Sequence, residues 1–127
     1  MAEAFANHYG GDVLTASSSG LAPTEGVARS TVHAMEEMDI DVSSHMPRLY
    51  NPYEAADYDI VVNMSGYDLP GPPPKEVIAW EVVDPIGASM EIYRAVRGDL
   101  EQKVMHLILD LRRRTSPTHD MSRRRKR

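Results

Sequence analysis

The chain has 127 residues, and its 19 acidic and 14 basic side chains give a formal net charge of −5 at pH 7. It contains no cysteine, which excludes disulfides, thiolate metal sites and a cysteine nucleophile among these residues. No apolar run is long enough to cross a bilayer and no signal peptide is present at the start, so we expect one cytoplasmic domain without a membrane partner.

Charged residues are distributed unevenly along the chain. Eight of the 14 basic residues lie between Arg112 and Arg127, whereas 18 of the 19 acidic residues lie in residues 1–111. This acidic body argues against a nucleic-acid partner. We predict a folded domain over residues 1–114 and a disordered basic tail over residues 115–127. RNA, lipid headgroups and the acidic body of a neighbour are the alternative contacts for such a tail.

The first residues predict a helix followed by a strand. Residues 1–8 suit a short helix with Met1 and Phe5 on one face, and the glycine pair that follows would end it. Residues 12–16 (DVLTA) are a candidate strand, which leads into a serine-rich turn.

A second helix is predicted after this turn. Pro23 and Thr24 provide its start, and its length is about fifteen residues. Its apolar stripe consists of Val27, Thr31, Met35 and Met38. We interpret these side chains as core-filling residues rather than a cofactor site. An extended, polar segment follows over residues 40–48.

The middle of the chain predicts two strands on either side of a rigid loop. A short helical turn capped by Asn51 comes first, and residues 58–64 (YDIVVNM) then form the clearest strand. Their contiguous apolar side chains favour a parallel strand that is covered on both faces. The four prolines of residues 65–75 predict a rigid surface loop, and a further strand is expected at residues 77–80.

A long amphipathic helix ends this order of elements. Ser89 is its predicted N-cap. Apolar side chains recur in it at three- and four-residue steps, at Tyr93, Val96, Leu100, Val104, Leu107 and Leu111. The alternation of helices and strands predicts an α/β protein, a three-layer sandwich around a parallel sheet.

An aspartate follows the last predicted strand. Ligands of open α/β sheets lie at the carboxyl ends of the strands, and Asp84 lies there with Pro85 after it. Two interpretations remain open for Asp84. It is either a proton donor that the proline holds in place, or part of a plain turn that leads into the helix.

Several segments carry a family resemblance by their order: MAEAFA, SSG, IDVSSHMPR, DIVVNM, and WEVVDPIG before EIYRAVRGDLEQKV. Over residues 1–114 the chain resembles the low-molecular-weight protein-tyrosine-phosphatase and arsenate reductase family. The resemblance implies a three-layer α/β/α sandwich in which a first central strand and a Cys-x5-Arg phosphate loop would precede Met1. Neither is present in this sequence, so we expect an N-terminally truncated member of the family.

The resemblance also implies a chemistry. In the family, the loop cysteine attacks phosphorus to form a cysteinyl-phosphate, and an aspartate protonates the leaving group without a cofactor. Asp84 matches this general acid, and it is the one catalytic residue that the resemblance assigns; no substrate-binding residue is assigned. We expect the full-length parent to hydrolyse phosphate monoesters of proteins or small molecules, and this chain to be inactive because its nucleophile loop is absent.

Other functions on the same scaffold remain open. Residues 65–74 lack the two cysteines of thioredoxin-linked arsenate reductases, but arsenate reduction with an external thiol requires the loop cysteine alone. Residues 86–88 lack the aromatic side chain that often follows the Asp-Pro pair in the phosphatases, which counts against phosphotyrosine as the substrate. A non-catalytic binding or assembly protein is the further alternative.

The remaining polar residues form no recognisable motif. The five histidines contain no metal-ligand pair, so no metal site is expected. Residues 17–19 are serines outside any GxSxG motif, and we expect them to form hydrogen bonds beside the phosphate loop. Without a first strand, residues 12–16 and 60–64 would each lack one neighbour. We therefore expect marginal stability, or a homo-oligomer formed through open strand edges.

Overall fold

The structure is a computed structural model that describes residues 1–22 and 26–114. Its elements in chain order are α1 (Ala2–Gly10), α2 (Arg29–Glu36), α3 (Pro52–Ala55), β1 (Val61–Asn63), β2 (Val77–Ala79) and α4 (Met90–Arg114). β1 and β2 pair in parallel, as the predicted α/β class requires. The predicted helix start at Pro23 and Thr24 and the predicted basic tail at residues 115–127 lie outside the described ranges.

α4 is the element on which the other long helices pack. Its buried side chains contact α1 and α2 and recur at three- and four-residue steps, at Tyr93, Val96, Leu100, Val104, Ile108 and Leu111. Ile108 is fully buried, whereas Leu107, which the sequence pattern assigned to the core, is half-buried beside β2. The 3.6-residue period explains the difference, because it places Ile108 directly below Val104. Neither α4 nor any other described helix has the apolar character that a bilayer span requires.

α1 is held on α4 by an aromatic side chain and by a close backbone approach. Phe5 is fully buried and stacks on Tyr9, with ring centroids 5.9 Å apart. The Tyr9 hydroxyl donates a hydrogen bond of 2.8 Å to Glu101 of α4, and this bond raises the pKa of Tyr9. At Gly10, a Cβ atom would lie 2.8 Å from two side-chain carbons of Ile108. The approach of the two helices at this point therefore depends on glycine.

A charged cluster joins the end of α2 to α4. Glu37 accepts hydrogen bonds of 3.0 and 2.8 Å from Arg94 and one of 2.7 Å from Arg97. Arg97 also donates to the Ala34 carbonyl at 2.8 Å. The hydrogen bonds from Arg94, followed by those from Arg97, lower the pKa of Glu37 to about 2.

Because of this cluster, we expect part of the stability to depend on pH. The folded-state pKa of Glu37 lies below its ordinary value of 4.5, so the carboxylate stabilises the folded chain above pH 4.5. This contribution is lost as the pH falls to about 2. The urea midpoints of the wild type and of Glu37→Gln should differ at neutral pH and converge at the acid end.

Glu36→Gln is the matched control for this measurement. Glu36 is exposed, lies next to Glu37 and forms no ion pair with the residues that the structure describes. Its urea midpoint should follow that of the wild type throughout the titration. If the difference in urea midpoint between Glu37→Gln and the wild type stayed constant down to pH 2, the predicted dependence of stability on the Glu37 pKa would be contradicted.

Residues 12–16 do not form the predicted strand. A strand needs a neighbour to pair with its N–H and C=O groups, and no described strand lies beside this segment. The N–H groups of Val13 and Leu14 instead bond back to the last carbonyl of α1, both at 3.0 Å. The backbone of Ala16 exchanges hydrogen bonds of 2.8 and 2.9 Å with the side chain of Asn7.

The second helix is shorter than the sequence predicts. It begins at Arg29 rather than near Thr24, and Ala28 before it is extended, with a ψ of 142°. Gly26 lies in the segment that was expected to be helical, and glycine in a helix costs about 1 kcal/mol relative to alanine. Met35, a member of the predicted apolar stripe, is fully buried as expected.

The sheet contains two strands within the described residues. Val61 pairs with Val77 and Asn63 with Ala79. All three residues of β1 are half-buried, so the strand is less deeply buried than its contiguous apolar residues predict. The burial is the same at successive residues, whose side chains lie on opposite faces of the sheet.

Candidate functional site

Asp84 lies in the loop between β2 and α4, and two consecutive turns fix its local geometry. Its Oδ1 atom accepts a hydrogen bond of 3.1 Å from the Ile86 backbone N–H, a turn that aspartate favours. The Pro85 carbonyl then accepts a bond of 2.8 Å from Ala88, and Gly87 has a φ of +80°. A type II turn requires this φ at its third residue, and glycine adopts it without strain.

The Asp84 carboxylate is exposed and forms no ion pair with a described cation. Its Oδ2 atom has no hydrogen-bond partner among the described residues. Val83 and Ile86, on either side of the Asp-Pro pair, are exposed apolar side chains. The turn therefore holds one carboxylate oxygen of Asp84 and leaves the other open to solvent.

The loop that contains Asp84 leaves the carboxyl edge of the sheet, where β1 also ends because the two strands are parallel. Asn63 orders the neighbouring loop at this edge. Its Oδ1 accepts from the N–H and the hydroxyl of Ser65, at 3.0 and 2.7 Å, and its Nδ2 donates to the Tyr67 carbonyl at 2.8 Å. The edge therefore has two loops with defined geometry.

A second polar cluster lies at the start of α1. The Ser18 hydroxyl donates to Glu3 at 2.6 Å and lies 3.4 Å from Nε2 of His45. Nδ1 of His45 lies 3.7 Å from the other carboxylate oxygen of Glu3. These three side chains line a groove of about 490 Å³. The serine proton is directed to Glu3 rather than to His45, so this is not the serine–histidine pair of nucleophilic catalysis.

The other candidates from the sequence do not assemble into a site. The Ser17 hydroxyl lies 2.6 Å from that of Tyr58, and no nucleophile elbow forms around it. Nowhere in residues 1–22 and 26–114 do three histidine, aspartate or glutamate side chains form a group that could hold a metal ion. A second groove, of about 520 Å³, lies between β2 and α4. Asp84 lines neither groove.

The cluster of Glu3, Ser18 and His45 was not predicted from the sequence. Ser18 is 15 residues from Glu3 and 27 residues from His45, and no motif with such spacings marks a site. Tertiary pairing brings the segments together: Gly20 and Leu49 form a parallel bridge that aligns the serine-rich turn with the segment containing His45.

Comparisons with known proteins point to one protein family. A model of the family described as low molecular weight phosphotyrosine protein phosphatase matches residues 1–69. The chain is 34% identical over 112 residues to the glutaredoxin arsenate reductase of Synechocystis sp., and the aligned residues make up 85% of each protein. It is 31% identical over 108 residues to arsenate reductase 2 of Staphylococcus saprophyticus, and this alignment covers 82% of each protein.

A solved structure, described as an arsenate reductase in the phosphate binding state, superposes on this chain with a TM-score of 0.76. Its sequence is 32% identical, and the match covers 87% of this chain and 86% of that chain. The two proteins share one fold, and the predicted three-layer α/β sandwich is thereby confirmed.

Proposed function

The chain belongs to the low molecular weight phosphotyrosine protein phosphatase family, and from that premise we propose that its chemistry is that of the family's arsenate reductases. The observation that carries the proposal is the agreement over 112 residues with a relative named as a glutaredoxin arsenate reductase. A second relative and a solved structure with the same activity in their names, at 31% and 32% identity, support it.

The residues after Asp84 support a small oxyanion as the substrate in preference to an aryl phosphate. Ile86, Gly87 and Ala88 provide no aromatic ring for stacking on the phenyl group of a phosphotyrosine. An arsenate ion has no such group and needs no ring. We therefore infer that arsenate, rather than a phosphorylated protein, is the substrate.

Asp84 is the proposed general acid. When a thiolate sulfur attacks arsenic, an As–S bond forms and an As–O bond breaks, and the departing oxygen must take up a proton to leave as water. The free Oδ2 atom of Asp84 is the proposed source of that proton. The hydrogen bond from the Ile86 N–H to Oδ1 keeps the carboxyl group in a fixed orientation.

The attacking thiol is not among these 127 residues, because none of them is a cysteine. Reduction of As(V) to As(III) oxidises two thiols to a disulfide, so the reaction suits a compartment in which glutathione is kept reduced. This supports the cytoplasm as the location. We expect a polypeptide of this sequence, when it is assayed alone, to be inactive.

A coupled assay tests the expected inactivity. With arsenate, glutathione, glutaredoxin, glutathione reductase and NADPH, NADPH oxidation should stay at the rate measured without the protein. The Synechocystis relative in the same mixture is the positive control. Hydrolysis of p-nitrophenyl phosphate should likewise stay at the buffer rate. Arsenate-dependent turnover that disappears in Asp84→Asn would mean that a nucleophile other than cysteine operates here.

A loop exchange tests the role of Asp84 and the choice of substrate. Residues 81–89 of this chain would replace the corresponding loop of the Synechocystis relative. The hybrid should reduce arsenate without hydrolysing p-nitrophenyl phosphate. Within it, Asp84→Asn should lower arsenate reduction by about 10²–10⁴-fold, whereas Glu81→Gln should not. Equal effects of the two substitutions, or a hybrid that prefers the aryl phosphate, would refute the proposal.

A further inference from the structure

The groove of about 520 Å³ between β2 and α4 combines apolar surface with an uncovered strand. All of its lining side chains belong to residues 78–110, so no residue near the start of the sequence forms part of it. Its half-buried apolar side chains are Ile78, Trp80 and Leu107. β2 pairs with β1 on one side, and no described strand pairs with it on the other. The groove is therefore a surface on which an extended segment can pack.

The groove between β2 and α4 carries negative charge. Three carboxylates line it, those of Glu81, Asp99 and Asp110, against the one ammonium group of Lys103. Lys103 forms an ion pair of 3.0 Å with Asp99. Glu81 is exposed and forms no ion pair with the residues that the structure describes. With its histidine neutral, the lining has a formal net charge of −2, which favours a cationic occupant.

The last two arginines of α4 pair with carboxylates at one end of this groove. Arg113 lies 3.2 Å from Asp110, which lines the groove. Arg114 lies 3.0 Å from Asp110 and 3.6 Å from Glu76, the residue just before β2. α4 therefore ends beside the start of β2, and the chain that follows Arg114 leaves the helix at the end of the groove.

We propose that residues 115–127 of this chain occupy the groove between β2 and α4, with residues 123–127 against Glu81 and Asp99. Five of these 13 residues are basic and one is acidic, so their charge complements that of the lining. Proline does not continue a helix, and Pro117 follows Arg114 by three residues, so the segment turns away from the axis of α4. It then runs parallel to β2, with α4 as the crossover that a parallel arrangement requires.

The length of the segment fits this path. Asp99 and Asp110 are 11 residues apart in α4, so the groove extends for about 16 Å along the helix. Residues 115–122, when extended, span up to about 26 Å. Residues 123–127, all of them basic, therefore reach the end of the groove that Glu81 and Asp99 line.

A spin label in the groove tests this contact. The chain has no cysteine, so Gln102→Cys introduces the sole thiol, at an exposed position that lines the groove. A nitroxide attached there should broaden the NMR signals of the backbone amides of residues 123–127, and reduction of the nitroxide should restore them. The same label on Glu36→Cys is the control, because Glu36 is exposed at the end of α2 and lines neither groove. Equal broadening by both labels, or by neither, would overturn the proposal.

Paired charge removals separate a contact in the groove from a general attraction to the acidic body. With the label on Gln102→Cys, Glu81→Gln combined with Asp99→Asn should largely restore the signals of residues 123–127. Glu36→Gln combined with Asp39→Asn removes the same charge at exposed positions outside both grooves and should leave the broadening unchanged. Similar restoration by the two pairs would mean that net charge alone attracts the segment, which would refute the groove as its site.

A mixed sample tests whether the occupant belongs to the same chain. Isotope-labelled wild type is combined with nitroxide-labelled Gln102→Cys that carries no isotope label. The signals of residues 123–127 should keep their full intensity, because each wild-type segment occupies its own groove. Broadening as strong as in the chain that carries both labels would assign the groove to the segment of a second copy and contradict the proposal.

Discussion

Phe5→Ala should destabilise the folded chain by about 3–5 kcal/mol. Phe5 is fully buried in the core formed by α1, α2 and α4, and its ring stacks on Tyr9 at a centroid distance of 5.9 Å. Truncation removes this apolar surface from the core and leaves a cavity that the surrounding helices fill only in part. Small domains have a total stability of about 5–15 kcal/mol, so a substantial fraction is lost. Urea unfolding followed by circular dichroism measures the change.

Tyr53→Ala is the control for Phe5→Ala. Tyr53 is also an aromatic residue near the start of a helix, but 76% of its surface is exposed. Its removal should change the free energy of unfolding by no more than about 0.5 kcal/mol. If both variants unfold at the wild-type midpoint, α1 is not packed on α4 in solution.

Gly10→Ala should destabilise the chain by about 1–3 kcal/mol. The added Cβ atom would lie 2.8 Å from both Cγ1 and Cδ1 of Ile108 and 3.4 Å from Leu14. Ile108 is fully buried, so it cannot swing away into solvent, and α1 has to move outward from α4. The loss should appear as a lower urea midpoint without a change in helix content at zero urea.

Gly98→Ala makes the same chemical change with the opposite expected sign. Gly98 lies within α4, and an added Cβ atom would have no neighbour within 4 Å. Alanine should therefore stabilise the helix by about 0.5–1 kcal/mol through its higher helix propensity. If Gly10→Ala also stabilises the chain, the two helices are farther apart at this crossing than the structure has them.

Local sequence patterns predicted several elements well. The apolar periodicity of α4 placed most of its buried face, and Asn51 caps α3 through a hydrogen bond to the Tyr53 N–H at 2.9 Å. The contiguous apolar residues of β1 marked the strand correctly, but they did not establish its burial. Burial depends on how many layers cover a strand, and no residue in the strand itself specifies this.

The candidate site was predictable only in part. Asp84 was assigned through a family resemblance, and the structure adds that the Ile86 N–H and the positive φ of Gly87 fix its loop. The contacts among Glu3, Ser18 and His45 had no signal in the sequence, because each residue type is common and the spacings are long.

The sequence by itself determined the long helix α4, the absence of cysteine among these residues and the family to which the chain belongs, because helical periodicity and residue identity are local properties. Tertiary structure alone decided that residues 12–16 remain outside the sheet and that Gly10 lies against Ile108. A strand is stable only when another segment pairs with its backbone, and a close helix crossing is defined by two surfaces that lie far apart in the chain.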